Sequence, residues 1–142
     1  MNPVKRHGLL NAPLNALIAE LGHTDTLVIA DAGLPIPTDV PRIDLAVTPG
    51  LPGFLPVLDA LLEELCVESV TLANEITTHS PALNDDIQHR LAELEARDGH
   101  PVEASYVSHD TFKQSLKKAK AVIRTGECTP YANVALHSGV PF

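Results

Sequence analysis

The sequence has few positive charges. Its 142 residues include 10 lysines and arginines against 18 aspartates and glutamates, which gives a formal net charge of −8. Nucleic acids and anionic membrane surfaces attract basic stripes and repel an acidic chain, so neither is an expected partner. No block of like charge is long enough to form an interaction tail. A neutral or cationic small ligand is therefore easier to accommodate than a polyphosphate.

Cysteine and metal-ligand motifs are also scarce. The two cysteines, Cys66 and Cys128, form no CxxC pair. They could form one disulfide, but two free thiols in a reducing compartment is the simpler interpretation. No HExxH or similar spacing predicts a metal site, and no GxGxxG or P-loop pattern predicts a nucleotide cofactor. His79 and His137 belong to no recognisable motif. We therefore expect neither metal nor cofactor.

Long apolar runs are missing. No stretch approaches the roughly 20 apolar residues needed to span a bilayer. Basic residues precede apolar ones near the start, but Asn11, Pro13, Asn15 and Glu20 interrupt the run before it could form the core of a signal peptide. The sequence thus predicts a cytoplasmic protein.

Hydrophobic periodicity predicts alternating strands and helices. With no low-complexity linker and no internal repeat, residues 1–142 are expected to form a single domain. Strands are predicted at 26–31, 42–47, 67–73, 102–107, 121–124 and 133–136, and helices at 13–21, 54–65, 83–97 and 108–118. Three prolines make 32–41 a fixed loop. This alternation favours a three-layer α/β fold, with a mixed or mostly parallel central sheet and helices on both faces.

The first candidate site residues flank the first strand. His23 stands at a helix-to-strand junction, where an imidazole can titrate and be oriented by nearby backbone groups. Asp31 ends the strand, at the position where open α/β sheets bind ligands. Both side chains could instead simply cap turns, so the spacing alone leaves a structural role open.

The second candidate pair opens the last predicted helix. His109 and Lys113 are four residues apart, so on a helix they share a face and could both point into one pocket. Ser108 is the expected N-cap of this helix. Polar residues in a first turn are also common on solvent-exposed faces, which leaves that alternative open.

The third candidate pair is Tyr131 and Asn133, which follow the turn at 125–130. Strand spacing would point both side chains the same way. A phenol and a carboxamide suit a sugar, because one offers a stacking face and a hydroxyl and the other offers donors and acceptors. The chain has only two tyrosines. A tyrosine and an asparagine on an edge strand can also be ordinary surface.

Four strings of the sequence together resemble one enzyme family. GHTDTLVIADAGLPIP, RIDLAV, SHDTFK and GECTPYANVAL are similar, in that order, to the D-ribose pyranase family, and the similarity runs from Leu10 to Val140. The sister group of fucose mutarotases shares the N-terminal histidine and aspartate motif but usually lacks the HTDTL and ECTPYAN motifs. The chain departs from the family near Asn74-Glu75, where a second carboxylate is frequent, and in its longer, more basic start.

The resemblance implies cofactor-free interconversion of β-ribopyranose and β-ribofuranose by acid–base opening and closure of the ring. It places His23 on the proton donor. It places the sugar-contacting roles on Asp31, His109, Tyr131 and Asn133, together with Lys113. Asp31 is interpreted as holding a sugar hydroxyl rather than as the base. The alternatives are an L-fucose-type mutarotase and a non-catalytic sugar-binding accessory of sugar uptake.

The resemblance also implies a ring-shaped homo-oligomer, commonly a decamer of two stacked pentamers, with sites at subunit contacts. The predicted strand gives an independent reason to expect a shared site. If 26–30 is extended, His23 and Asp31 lie at its opposite ends, separated by roughly 15–25 Å at about 3.3 Å per residue. A ribose ring is much smaller, so either the flanking turns fold back or His23 of one subunit meets Asp31 of another.

Overall fold

A computed structural model describes residues 5–142, which form five α-helices and six strands in a largely alternating order. The elements are α1 (Ala12–Glu20), β1 (Thr26–Ala30), β2 (Arg42–Asp44), α2 (Phe54–Leu62), β3 (Val67–Ala73), α3 (Ile76–His79), α4 (Pro81–Asp98), β4 (Glu103–Val107), α5 (His109–Ser115), β5 (Ala121–Arg124) and β6 (Val134–Ser138). A short 3-10 turn, Leu116–Lys118, continues α5.

The strands form one mixed sheet in the order β2-β5-β1-β6-β3-β4. β6 is antiparallel to both of its neighbours, and the other pairs are parallel. The carboxyl ends of β1, β3, β4 and β5 therefore meet at one edge of the sheet, together with the amino end of β6. We call this edge the carboxyl edge. Open α/β sheets bind their ligands at such an edge.

Two apolar cores cover the two faces of the sheet. The larger one packs α1, α2 and α4 against the sheet, with Phe54, Leu61 and Val70 completely buried. The smaller one packs α5 and its 3-10 extension against the other face, with Phe112 and Leu116 at its centre. Helices on both faces of a mixed sheet confirm the predicted α/β architecture.

Most predicted elements are present, with differences at their ends. β3 and β5 have the predicted bounds, and the Ser108 side chain caps α5 by accepting a hydrogen bond from the Thr111 N–H. β2 ends at Asp44 rather than Val47, and β6 runs from Val134 to Ser138 rather than from 133 to 136. No sequence pattern predicted α3. Across residues 5–142, no helix is both long and apolar enough to cross a membrane.

Candidate active site at the carboxyl edge

Asp31 and Asn133 form a reciprocal pair at the carboxyl edge. Asp31 follows β1 and Asn133 precedes β6, and these two strands are paired. The Asp31 backbone N–H donates to Asn133 Oδ1 at 2.9 Å, and Asn133 Nδ2 donates to Asp31 Oδ2 at 3.2 Å. Asn133 is completely buried. A buried carboxamide is stable only when its polar atoms are paired, so this residue fixes the position of the carboxylate.

Burial raises the pKa of the Asp31 carboxyl above its ordinary value. Hydrogen bonds from the Gly33 N–H, at 3.0 Å, and from the Asn133 amide favour the ionised form and oppose that rise. Each carboxylate oxygen accepts one of these bonds and keeps a further lone pair. Asp31 can therefore accept hydrogen bonds from sugar hydroxyls without leaving its own partners.

Tyr131 lies in a turn, so the prediction that it shares a strand with Asn133 is wrong. Its φ is +62°, in the left-handed region, and β6 begins only at Val134. A bulky residue there is unusual and marks a locally strained backbone. The phenol ring packs between two imidazoles: the ring centroids are 5.3 Å from His79 and 5.0 Å, edge-on, from His109. This aromatic packing orients the tyrosine ring.

His109 is held through both its backbone and its ring. Its N–H donates to both carboxylate oxygens of Glu75, each at 3.1 Å. Its ring Nδ1 is buried and has no hydrogen-bond partner within residues 5–142. A buried lone pair without a partner costs less than a buried N–H without one. The neutral ring therefore carries its proton on Nε2 and is a hydrogen-bond donor there.

Three side chains, Arg124, Ser80 and Glu127, hold the loops that carry these residues. Arg124 Nε donates to the Ala32 carbonyl at 3.0 Å, directly after Asp31. Ser80 Oγ donates to the Pro130 carbonyl at 2.7 Å, directly before Tyr131. Glu127 accepts hydrogen bonds from the Phe54 N–H and from Thr129, and these bonds lower the pKa of its carboxyl. The site is thus supported by residues from distant parts of the chain.

Asp31, His109 and Tyr131 line a cavity of ≈ 280 Å³, whereas the completely buried Asn133 supports Asp31 and is not part of the cavity wall. Its wall consists of Asp31, Gly33, Leu34, Pro35, His109, Pro130 and Tyr131. Carboxylate, imidazole and phenol groups face a space bounded by apolar loop residues. This combination suits a small polyhydroxylated ligand, whose hydroxyls pair with the polar groups and whose carbon face packs on the ring.

Lys113 is not brought to this cavity. Its Nζ lies 3.4 Å from Asp110 Oδ1 on the same helix, and of the described residues that form the cavity wall only His109 belongs to α5. In this single chain the cavity wall thus includes His109 but not Lys113, and a contact between Lys113 and a ligand stays a prediction. The lysine side chain is partly exposed and its pairing is an ordinary surface ion pair, which is easily exchanged.

His23 lies at the opposite edge of the sheet. Its turn is closed by Ser138 at the end of β6, where the Thr24 N–H donates to the Ser138 carbonyl at 2.9 Å. Thr24 has φ +73°, a strained conformation for a β-branched residue. Asn133 directly precedes β6 and Ser138 ends it, so Asp31 and His23 are separated by the full strand. The flanking turns do not fold back to close that gap.

Four residues near these two regions were not assigned a role from the sequence. His79 and Glu75 support Tyr131 and His109, and Glu68 lies beside His23 with its Oε2 3.4 Å from His23 Nε2. His137 bridges Thr26 and Thr71, each at 2.9 Å, and burial lowers the pKa of its ring. Of these four residues, the sequence singled out only Glu75, because the chain departs from the family pattern near Asn74-Glu75.

The donor set at the cavity is not a metal-binding arrangement. In the part of the chain that the structure describes, no three His, Cys, Asp or Glu side chains are grouped so that they could hold a metal ion. Among residues 5–142, Asp31 is the single carboxylate of the cavity wall.

Known proteins resemble this chain along nearly its whole length. A D-ribose pyranase of Geobacillus thermodenitrificans is 52% identical over 139 residues, which covers 98% of this chain and 99% of the relative. The structure of Bacillus subtilis RbsD complexed with D-ribose matches with a TM-score of 0.88 and 47% identity, over 97% of this chain and 99% of that one. A fucose mutarotase from Streptococcus pneumoniae, in complex with L-fucose, has a TM-score of 0.66 and 25% identity, over 92% and 94%.

The family model agrees with these similarities. The model of the RbsD / FucU transport protein family matches residues 4–141, which include both His23 and the carboxyl edge. The chain therefore belongs to the RbsD / FucU transport protein family.

Proposed function

We propose that the chain is a D-ribose pyranase, an isomerase that interconverts β-ribopyranose and β-ribofuranose. The relatives named D-ribose pyranase are about half identical over the whole chain, whereas the fucose mutarotase is only 25% identical. The observation that carries the proposal is the reciprocal Asp31–Asn133 pair beside Tyr131 and His109. Asp31, His109 and Tyr131 thus offer hydrogen-bond acceptors, a hydrogen-bond donor and a stacking surface within one small cavity.

The reaction needs only proton transfers. Opening the ring removes a proton from the anomeric hydroxyl and delivers one to the ring oxygen, and reclosure through another hydroxyl gives the other ring size. One positioned acid–base side chain typically contributes about 10²–10⁴-fold to such a step. His23 is the proposed proton donor, since an imidazole can serve in both directions near neutral pH. No metal or cofactor has a part in this chemistry.

The residues of the carboxyl edge are proposed to hold the sugar. Asp31 accepts sugar hydroxyls, His109 donates through Nε2, and Tyr131 gives the ring a surface to pack on. Asn133 holds the Asp31 carboxylate in place, and its hydrogen bond favours the ionised form. Lys113 remains a proposed contact, because its side chain is partly exposed and can exchange Asp110 for a sugar hydroxyl.

Each site is proposed to form between two subunits. His23 and Asp31 of one chain are at opposite edges of the sheet, so one ribose cannot contact both. On the sheet face that carries the smaller core, a row of polar side chains is only partly covered: Thr26, Ser69, Thr71, Glu103, Ser105 and His137. A second copy packed there would bring its own cavity near His23. The proposed assembly is a decamer of two pentameric rings.

Mixing inactive variants tests the shared site. His23→Ala subunits and Asp31→Ala subunits are unfolded together and refolded, and mixed oligomers are isolated. Recovery of part of the wild-type exchange rate is expected, because some contacts then pair an intact His23 with an intact Asp31. The same experiment is done with His23→Ala and His109→Ala subunits. Mixed oligomers that recover no exchange activity in either pairing would contradict the shared site.

The proposal extends to the setting of the enzyme. The whole chain, 1–142, is taken as one domain, and its compartment as the cytoplasm. Both cysteines of the sequence, Cys66 and Cys128, are free thiols in the structure, which suits a reducing compartment. Free D-ribose is the proposed substrate.

Saturation-transfer NMR on equilibrated sugars tests the function. Saturating the anomeric resonance of β-ribopyranose should reduce that of β-ribofuranose in the presence of the protein and leave it unchanged without it. L-Fucose anomers are measured alongside. Faster exchange of fucose than of ribose would favour the fucose-type alternative. Ribose binding without any exchange would favour a non-catalytic sugar-binding accessory.

A further inference from the structure

The end of β3 nearest His23 contains a β-bulge at Glu68. Val67 pairs with Ser138 and Ser69 pairs with His137, so two steps along β3 oppose a single step along β6, and Glu68 is the extra residue. A bulge changes the direction of the strand and re-aims a side chain, and bulges are frequent beside active sites. Here the bulged residue is the carboxylate that faces His23.

The bulge and the His23 turn share one support. Ser138 pairs with Val67 across the sheet, and its hydroxyl donates to the carbonyls of Gly22 and Asp25 on either side of His23. The Gly139 N–H then donates to the Cys66 carbonyl at 2.9 Å. A Cβ on Gly139 would lie 3.3 Å from Glu68 Cβ, closer than most such contacts. Residues 138–139 therefore fix Glu68 and His23 relative to each other.

The contact between Glu68 and His23 determines which ring nitrogen carries no proton. His23 Nε2 lies 3.4 Å from Glu68 Oε2. This is an ion-pair contact rather than a hydrogen bond, and a carboxylate at this distance repels the lone pair of an unprotonated ring nitrogen, so the nitrogen that faces it is the one that carries the proton. A carboxylate paired with one imidazole nitrogen fixes the tautomer and orientation of the ring in this way in other acid–base sites. Nδ1 is then the nitrogen that exchanges a proton with a ligand.

We propose that Glu68 is a positioning residue for His23: it holds the imidazole in the Nε2–H form, so that Nδ1 accepts the proton of the anomeric hydroxyl and then delivers it to the ring oxygen during ring opening. This inference rests on the proposed function for its catalytic consequence, but its structural part does not. Both side chains are about half exposed, at 53% and 54%. Exposed ion pairs add little to stability, so this pair acts on the ring rather than on the fold.

The test combines a structural and a kinetic measurement on the whole protein. With 15N-labelled histidine, the neutral His23 ring of the wild type should show the Nε2–H tautomer. In Glu68→Gln the side-chain amide can donate as well as accept, so a mixture of tautomers is expected. The exchange rate at saturating ribose should fall by about 10–100-fold, as for other groups that orient a histidine, with KM changed less than about twofold.

Glu68→Asp keeps a carboxylate and should retain more of the rate than Glu68→Gln. Glu20→Gln is the matched control: Glu20 is exposed at the end of α1, three residues before His23, and its removal changes the net charge equally. This control should leave both tautomer and rate unchanged.

The outcomes separate the inference from the proposed function. A wild-type protein that exchanges ribose but shows Nδ1–H at His23 would overturn the inference, as would Glu68→Gln with a wild-type rate. A loss of rate with an unchanged tautomer, or a change confined to KM, would also overturn it. A wild-type protein with no exchange would contradict the proposed function, and its tautomer would still decide the role of Glu68.

Discussion

Replacing Asn133 by alanine removes both hydrogen bonds of the reciprocal pair. The Asp31 N–H loses its acceptor in a partly buried position, which costs about 1–3 kcal/mol. The Asp31 carboxylate loses its amide donor, and hydrogen bonds to charged groups contribute about 1.5–3 kcal/mol. We expect the free energy of unfolding at pH 7 to fall by about 3–5 kcal/mol. Urea denaturation at a fixed protein concentration measures it.

The loss of unfolding free energy in the Asn133→Ala variant is expected to depend on pH, with a defined sign. Because burial raises the folded pKa of Asp31 above its ordinary value of 3.8, this group contributes stability below that value and loses it as the pH rises through the folded pKa. Removing the amide raises the folded pKa further and enlarges that loss. The destabilisation should therefore be smaller at pH 4 than at pH 7, by about 1–2 kcal/mol. An equal fall in the free energy of unfolding at both pH values would refute the idea that Asn133 stabilises the charged form of Asp31.

Further substitutions test the other contacts of the site. Tyr131→Ala removes two aromatic contacts and the surface for the sugar, and should raise KM for ribose about tenfold; an unchanged KM would remove this ring from the binding site. Glu75→Gln weakens the charge-assisted bonds to the His109 N–H, and should lower the free energy of unfolding by about 1 kcal/mol in urea denaturation; no change would show that the bonds contribute nothing. Lys113→Met should raise KM severalfold if the lysine contacts sugar, whereas equal effects of Lys113→Met and Asp110→Asn would assign it to the surface pair alone. Dialysis against EDTA should leave the ribose exchange rate unchanged, and a loss restored by one divalent ion would contradict the metal-free mechanism.

The sequence predicted the sheet better than the surroundings of the site. β3 and β5 were located correctly because β3 is rich in β-branched residues and β5 is a short apolar run that begins directly after a lysine. Asp31 was placed at the carboxyl edge for the same reason, since it ends such a run. The N-cap at Ser108 followed from a local side-chain rule. These features depend on residues that are neighbours along the chain.

The contacts missed from the sequence join residues that are far apart in it. Tyr131 was read as part of a strand, but its position is determined by packing between His79 and His109. The four-residue helix α3, which carries His79, is too short to give a periodic pattern. Glu68 meets His23 only because β3 contains a bulge opposite β6, and no local pattern encodes that pairing.

The ribose exchange rate of His23→Ala, compared with that of the wild type, tests the central claim most directly. Saturation transfer between β-ribopyranose and β-ribofuranose is measured at equal protein concentration, and circular dichroism checks that both proteins are folded. The wild type is expected to transfer saturation rapidly. His23→Ala is expected to be folded and to match the protein-free rate, because the proposed proton donor is gone. Full exchange by a folded His23→Ala protein, or no exchange by the wild type, would contradict the account.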